Sequence, residues 1–216
     1  MRAMQPIMPA TLTAGELYKV LSGLIVPRPI ALITTMDRRG RVNAAPYSFF
    51  NVLTDEPPIV AFGSAAKSDG SPKDTPRNIE ETREFVVNLV DEELAEAMAV
   101  CAVDFPCDVE EPGEAGLARA PSTTVGVPRI AGAFAAIECR LRQSIAAGLR
   151  SRIILGDVTM IHVADGCMDP KSRRVDLDRY RPIGRLFGDH YVRLTDRIEV
   201  RRMNYDAWLR NAAPQA

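Results

Sequence analysis

Short runs of β-branched and apolar residues, separated by turn-forming residues, recur along most of the chain. The first, residues 30–36 (IALITTM), has the composition of a buried strand. Asp37-Arg38-Arg39-Gly40 follows with turn chemistry, Gly40 being suited to a positive φ. Further strands are expected over 42–47, over 58–63 after Pro57-Pro58, and over 84–90. Residues 132–143 alternate in their later part, with Ile137, Cys139 and Leu141 on one face and Glu138, Arg140 and Arg142 on the other. The run 152–163 contains Gly156, which marks a bulge or a close backbone approach. A last strand, 174–183, is broken by Pro182. Helical spacing is found at Leu17, Val20, Leu21 and Leu24, a face expected to pack on the sheet, and over 91–102, begun by Asp91. Many short strands with few helices predict a mainly β fold, an antiparallel barrel with peripheral helices.

Alternation fails in residues 43–51, NAAPYSFFN, which mix small residues, a proline, aromatics, a hydroxyl and two amides. Pro46 has no backbone donor, so the chain is expected to leave the sheet there and form a loop running to Asn51. That loop offers backbone N–H groups and flat apolar rings to a planar heterocycle; it equally suits a strand end followed by an aromatic core plug. Pro27-Arg28-Pro29 forces an extended approach to the first strand and holds Arg28 in a defined direction, toward a phosphate or a surface ion pair.

Residues 63–72 (GSAAKSDGSP) read as a mobile loop. In Lys73-Asp74-Thr75-Pro76, Thr75 reads as a helix N-cap and Pro76 as the first helical residue. A helix start presents free N–H groups to a phosphate, and Lys73 adds a full charge. The alternative is a plain surface cap. Residues 103–128 are acidic and rich in Pro and Gly, a long excursion suited to a lid or a peripheral decoration. His162 shares a face with Val158 and Met160, as a satisfied core or interface histidine would.

Composition narrows the chemistry. The 216 residues carry a net charge of −1, which gives no reason to expect nucleic acid or an anionic membrane as partner. The first residues show no secretory apolar core and no run approaches the ~20 residues that span a bilayer, so a cytoplasmic protein is expected. Cys101, Cys107, Cys139 and Cys167 match no zinc spacing and read as reduced thiols, with a redox pair at Cys101 and Cys107 as the alternative. No G-x-G-x-x-G follows a strand and there is no P-loop, so a nicotinamide cofactor would lack its own dinucleotide fold.

Five stretches in this order, PRPIALITT, NAAPYSFFN, DEPPIVAFG, KDTPRNI and EFVVNLV, resemble the flavin reductase-like proteins with an FMN-binding split β-barrel. The resemblance covers roughly residues 16–200. It implies a split-barrel domain over 15–200, followed by a C-terminal tail over 201–216. Residue by residue it implies a flavin lined by Thr34, Thr35, Ala45, Ser48, Phe49 and Asn51, with Lys73, Asp74 and Thr75 at the phosphate. Asp74 is electrostatically awkward beside a phosphate and is expected to support the loop instead. The late stretch Gly184-Arg185-Leu186-Phe187-Gly188 resembles the family's Gly-Arg-x-Gly-Gly, with Phe187 replacing a glycine. The resemblance further implies FMN as cofactor, NAD(P)H as a transient electron donor, a homodimer and a small-molecule substrate. Two functions fit: an FMN-dependent oxidoreductase, in which the cofactor carries hydride chemistry without a recognisable catalytic side chain, or a non-catalytic electron carrier or flavin sensor.

Overall fold

The computed structural model describes residues 2–67, 70–148 and 151–212. Helix α1 (Ala14–Leu24) opens with a capping box, in which Thr13 and Glu16 satisfy each other's backbone N–H groups. The first five strands are β1 (Ala31–Met36), β2 (Val42–Tyr47), β3 (Phe50–Asp55), β4 (Pro58–Ala65) and β5 (Glu84–Leu89), with α2 (Asp74–Thr82) between β4 and β5. A short α3 (Ala95–Val100) replaces the longer helix expected over 91–102, and the excursion that follows holds α4 (Glu111–Glu114) and the two-residue strand β6 (Arg119–Ala120), which pairs with β7 (Arg129–Ile130) just beyond it. Long β8 (Ala135–Ala147) and β9 (Ser151–Val163) follow, then the hairpin β10 (Ile183–Arg185) and β11 (Tyr191–Arg193), and α5 (Tyr205–Ala212) in the tail.

Seven strands form one antiparallel sheet in the order β2-β1-β5-β8-β9-β4-β3. Its two edge strands, β2 and β3, are consecutive in the chain and joined only through Ser48-Phe49, so the barrel is split there rather than closed by a ladder. Gly63 N–H donates to the Phe49 carbonyl at 2.8 Å and fixes this turn against β4. The barrel interior holds Ala31, Ile33, Tyr47, Phe62, Phe85 and Ile154. A second cluster, Ile30, Leu32, Ala44, Leu94, Met98 and Ile130, covers the outer face of β1 and β2 with α3 and the excursion. Burial on both faces is why β1 reads as an unbroken apolar run.

Several expectations are corrected. β2 ends at Tyr47 as expected of a strand over 42–47, but the expected loop to Asn51 shrinks to Ser48-Phe49 and β3 replaces the rest. Pro46 is accommodated because β2 is an edge strand. β4 extends to Ala65, into the expected 63–72 loop, of which Ser68 and Asp69 lie outside the described residues. Residues 174–182 form turns and isolated bridges instead of a strand, Asp176 Oδ1 accepting the N–H groups of Asp178 and Arg179, and Ile183 opens β10. The α1 face does not pack as expected: Leu21 and Leu24 are exposed, and its one buried residue is Ser22. Gly156 behaves as expected of a close approach, since a Cβ there would lie 2.3 Å from Phe85 Cζ.

Glu138, which alternation groups with the exposed Arg140 and Arg142, is fully buried. The segment before β7 folds over it. Its carboxylate accepts from Thr123 N–H at 2.7 Å, Thr124 N–H at 2.6 Å and Thr124 Oγ1 at 2.6 Å. His162 Nε2 lies 2.6 Å from Glu138 Oε1, so this histidine is a satisfied core residue. Burial pushes the Glu138 carboxyl up, but the bonds from Thr124, Thr123 and His162 outweigh it and bring it down to about 2.

Candidate functional site

The split between β2 and β3 separates two recesses at consecutive residues. The first, a cavity of about 80 Å³, is lined by Asn43, Ala45, Pro46 and Tyr47 of β2, by Lys67, and by Lys73, Asp74 and Thr75 at the start of α2. Its third wall is Cys101 to Phe105 together with Glu111. The second, a groove of about 490 Å³, runs between α1 and the β2–β3 turn, over Leu21, Ile25, Ser48, Phe49, Asn51 and Leu53.

Thr75 is not the cap expected of it. Lys73 occupies the N-cap without a side-chain bond, and Thr75 is the second helical residue, turned inward. Its hydroxyl lies 2.9 Å from the Asn43 amide, a tertiary contact that overrides the local capping signature. With the amide oxygen toward Thr75, the Asn43 nitrogen lies 3.2 Å from Glu111 Oε1. Asp74 bonds to Lys67 at 2.8 Å and to Arg77, so its charge is offset twice within the chain. Lys73, half-buried, makes no ion pair among the described residues.

Tyr47 Oη is buried, with no hydrogen bond of good geometry among the described residues and the Thr75 and Ser64 hydroxyls as its polar neighbours. Burial pushes Glu111 up from the ordinary carboxylate range, with Asp74 adding repulsion; burial also pushes the Cys101 thiol up to about 12. The cavity wall carries Lys67 and Lys73 against the carboxyls of Asp74, Asp104 and Glu111, so its charges are close to balanced, and Lys73 is a cation there without an ion pair among the described residues. All four cysteines are free, and Cys101 is an inert buried thiol.

The expected site residues divide in three. Ala45, Lys73, Asp74 and Thr75 meet at the cavity. Ser48, Phe49 and Asn51 meet at the groove. Thr34 and Thr35 reach neither. Both are fully buried, Thr34 Oγ1 donating to the Pro128 carbonyl at 2.7 Å and Thr35 Oγ1 accepting from Asn78 Nδ2 at 3.2 Å. They brace the site from behind.

Arg28 makes no surface ion pair among the described residues. Only 4% exposed, it donates to the carbonyls of Ser22, Ile25 and Leu186 and, at 3.3 Å, to Ser48 Oγ. Its guanidinium lies 5.8 Å from the centre of the Phe49 ring. One side chain thus ties the C-terminal end of α1, the β2–β3 turn and the β10–β11 hairpin. The bracketing prolines are the sequence signal for this fixed direction, though not for its destination. Sequence reasoning missed Tyr47, Lys67 and Glu111 as cavity residues. Lys67 and Glu111 come from remote segments, and Tyr47 sits in a stretch whose period of two has already broken at Pro46.

Comparison with known proteins agrees with this architecture. The flavin reductase like domain matches residues 22–184, and the chain belongs to that family. It is similar to 2-nitrobenzoate 2-nitroreductase NbaA of Pseudomonas fluorescens, at 36% identity and a TM-score of 0.85, covering 93% of this chain and 98% of that one. Nitrilotriacetate monooxygenase component B of Bacillus cereus gives 33% identity and a TM-score of 0.88, covering 93% and 100%. An uncharacterized protein of Aquifex aeolicus is 41% identical over 182 residues, 84% of this chain and 92% of that one. Fold and family together define a flavin-related oxidoreductase. No helix among the described residues is long and apolar enough to cross a membrane.

Proposed function

We propose that the chain is an FMN-dependent reductase, taking electrons from NAD(P)H and passing them to free flavin or another small acceptor. The observation that carries this reading is the cavity at the start of α2. There Lys73, which makes no ion pair among the described residues, and Asp74 and Thr75, whose N–H groups open α2, line one cavity with Ala45. A terminal phosphate needs that combination of donors and charge.

From there the flavin ring would lie toward the groove, against Phe49 and within reach of the Ser48 hydroxyl and the Asn51 amide. Bound FMN supplies hydride chemistry. The chain's own residues hold the phosphate, present a flat apolar contact to the ring and hydrogen-bond its polar edge. Arg28, by fixing Ser48 and the β10–β11 turn, keeps that surface in one shape. The exposed Leu21, Ile25, Phe49 and Leu53 favour a homodimer that covers the groove. The NAD(P)H donor would rest on the exposed ring face.

The similarity to a nitroreductase at 36% identity favours an enzyme over an electron carrier. Stopped-flow or steady-state NADH and NADPH oxidation, with FMN and an electron acceptor added, tests the reading. Turnover well above the FMN-only blank is expected. A protein that binds FMN but shows no turnover with either nicotinamide is a carrier or sensor.

A further inference from the structure

We infer that the segment from Cys101 to Glu111 is a wall that restricts this site to the mononucleotide, so that FMN is held and FAD refused. The inference rests on the FMN reading above and names what enforces it. Past the phosphate-side residues Lys73 and Thr75, the cavity ends against Cys101, Ala102, Val103, Asp104 and Phe105. Its volume, about 80 Å³, is far below the roughly 300 Å³ at which pockets begin to enclose a ligand of nucleotide size. A terminal phosphate fits; a phosphate esterified to adenosine has no onward path on that side.

The wall is held in place by an unusual use of an edge strand. Val42 and Ala44 belong to β2, whose outer edge has no neighbouring strand. Such an edge leaves alternate N–H groups without a ladder partner. Glu110 Oε1 accepts from Val42 N–H at 2.6 Å, and Glu111 Oε2 accepts from Ala44 N–H at 3.2 Å. Two successive glutamates therefore stand in for a strand. Glu110 is fixed from behind by Arg119, through contacts of 3.1 and 2.9 Å. Asn43, between the two clamped residues, carries the contact on to Thr75. Wall, edge strand and phosphate-side helix are one hydrogen-bonded unit, in which Glu110 and Glu111 are positioning residues.

The test measures FMN and FAD dissociation constants of the full chain by flavin fluorescence quenching. The variants are Glu110→Ala/Glu111→Ala, Glu110→Gln/Glu111→Gln and Phe105→Ala. Wild type is expected to prefer FMN by at least about tenfold. The alanine pair should narrow that ratio roughly tenfold, whereas the glutamine pair, whose amide oxygens still accept both N–H groups, should keep it. Phe105→Ala opens the wall without touching the clamp and should narrow the ratio too, which keeps the test decisive if the alanine pair fails to fold. Equal affinity of wild type for the two flavins overturns the inference. So does an unchanged ratio in both the alanine pair and Phe105→Ala, with FMN binding intact. Wild type binding neither flavin overturns the FMN reading and the inference with it.

Discussion

The cavity beside Thr75 holds about 80 Å³ and is walled by hydroxyls, ammonium groups and carboxyls, whereas the groove beside Phe49 holds about 490 Å³ between apolar side chains. The two are adjacent in sequence, meeting between Tyr47 and Ser48. In the cavity nearly every wall is tied to another: Asp74 to Lys67 and Arg77, Asn43 to Thr75, Glu111 to Ala44. In the groove the rim is exposed, with Ile25 62% and Leu53 56% accessible. The part of the site that reads charge is pre-organised within one chain. The part that reads shape is a surface, suited to being finished by a second copy and by a substrate.

A substitution beneath both regions should remove the contrast altogether. Gly156→Val places its Cβ within 2.3 Å of the fully buried Phe85 ring, which cannot withdraw. A loss of about 3 kcal/mol is expected in thermal unfolding, with both recesses failing together. A smaller loss would mean that β9 can shift away from the core.

Leu53→Asp addresses the groove alone. A carboxylate set in the apolar face should weaken self-association by about 3 kcal/mol, roughly a hundredfold or more, while leaving the monomer's unfolding temperature within a degree or two. Light scattering at micromolar concentration checks it. An unchanged dimer would place the interface elsewhere, and a wild-type monomer would remove the dimer from the account.

Acid should separate two buried glutamates. Glu138 is held below the usual carboxylate range, at about 2. Its contribution is therefore present above the unfolded value near 4.5 and is lost as pH falls toward 2. Glu111 is pushed the other way, so its contribution is present in acid and fades as pH rises through its folded value. Glu138→Gln should cost on the order of 2 kcal/mol at pH 7 and roughly half that at pH 3, whereas Glu111→Gln should be neutral or slightly stabilising at pH 7. Urea titrations at the two pH values decide it; equal costs for both variants would contradict the assigned environments.

Much of the sheet was legible because its strands obey local rules. β1 is apolar throughout since both its faces are covered, and β8 alternates where one face meets the core. β3 was not legible. It is an edge strand with five exposed positions and a register shift between Val52 and Thr54, so no period of two survives in FNVLTD. The KDT stretch was recognisable as a helix start, but the role of Thr75 was decided by Asn43, distant in sequence. Glu138 and Arg28 were misread for one reason: charged residues read locally as surface, and in both cases remote backbone groups supply the partners that make burial tolerable. Four of the expected site residues, Ala45, Lys73, Asp74 and Thr75, line one cavity, while Thr34 and Thr35 were drawn into the core by bonds that β1 alone does not reveal.

The central claim is that a flavin phosphate is read by charge and donors at the start of α2. Titration of FMN by fluorescence quenching, for wild type, Lys73→Ala, Thr75→Ala and Ser48→Ala, tests it most directly. Wild type should bind. Lys73→Ala should lose about 1–2 kcal/mol, with a weaker dependence on salt, and Ser48→Ala should lose less, since it touches the ring side. If all four bind FMN equally, the phosphate lies elsewhere; if wild type binds no flavin, the account of the site is wrong.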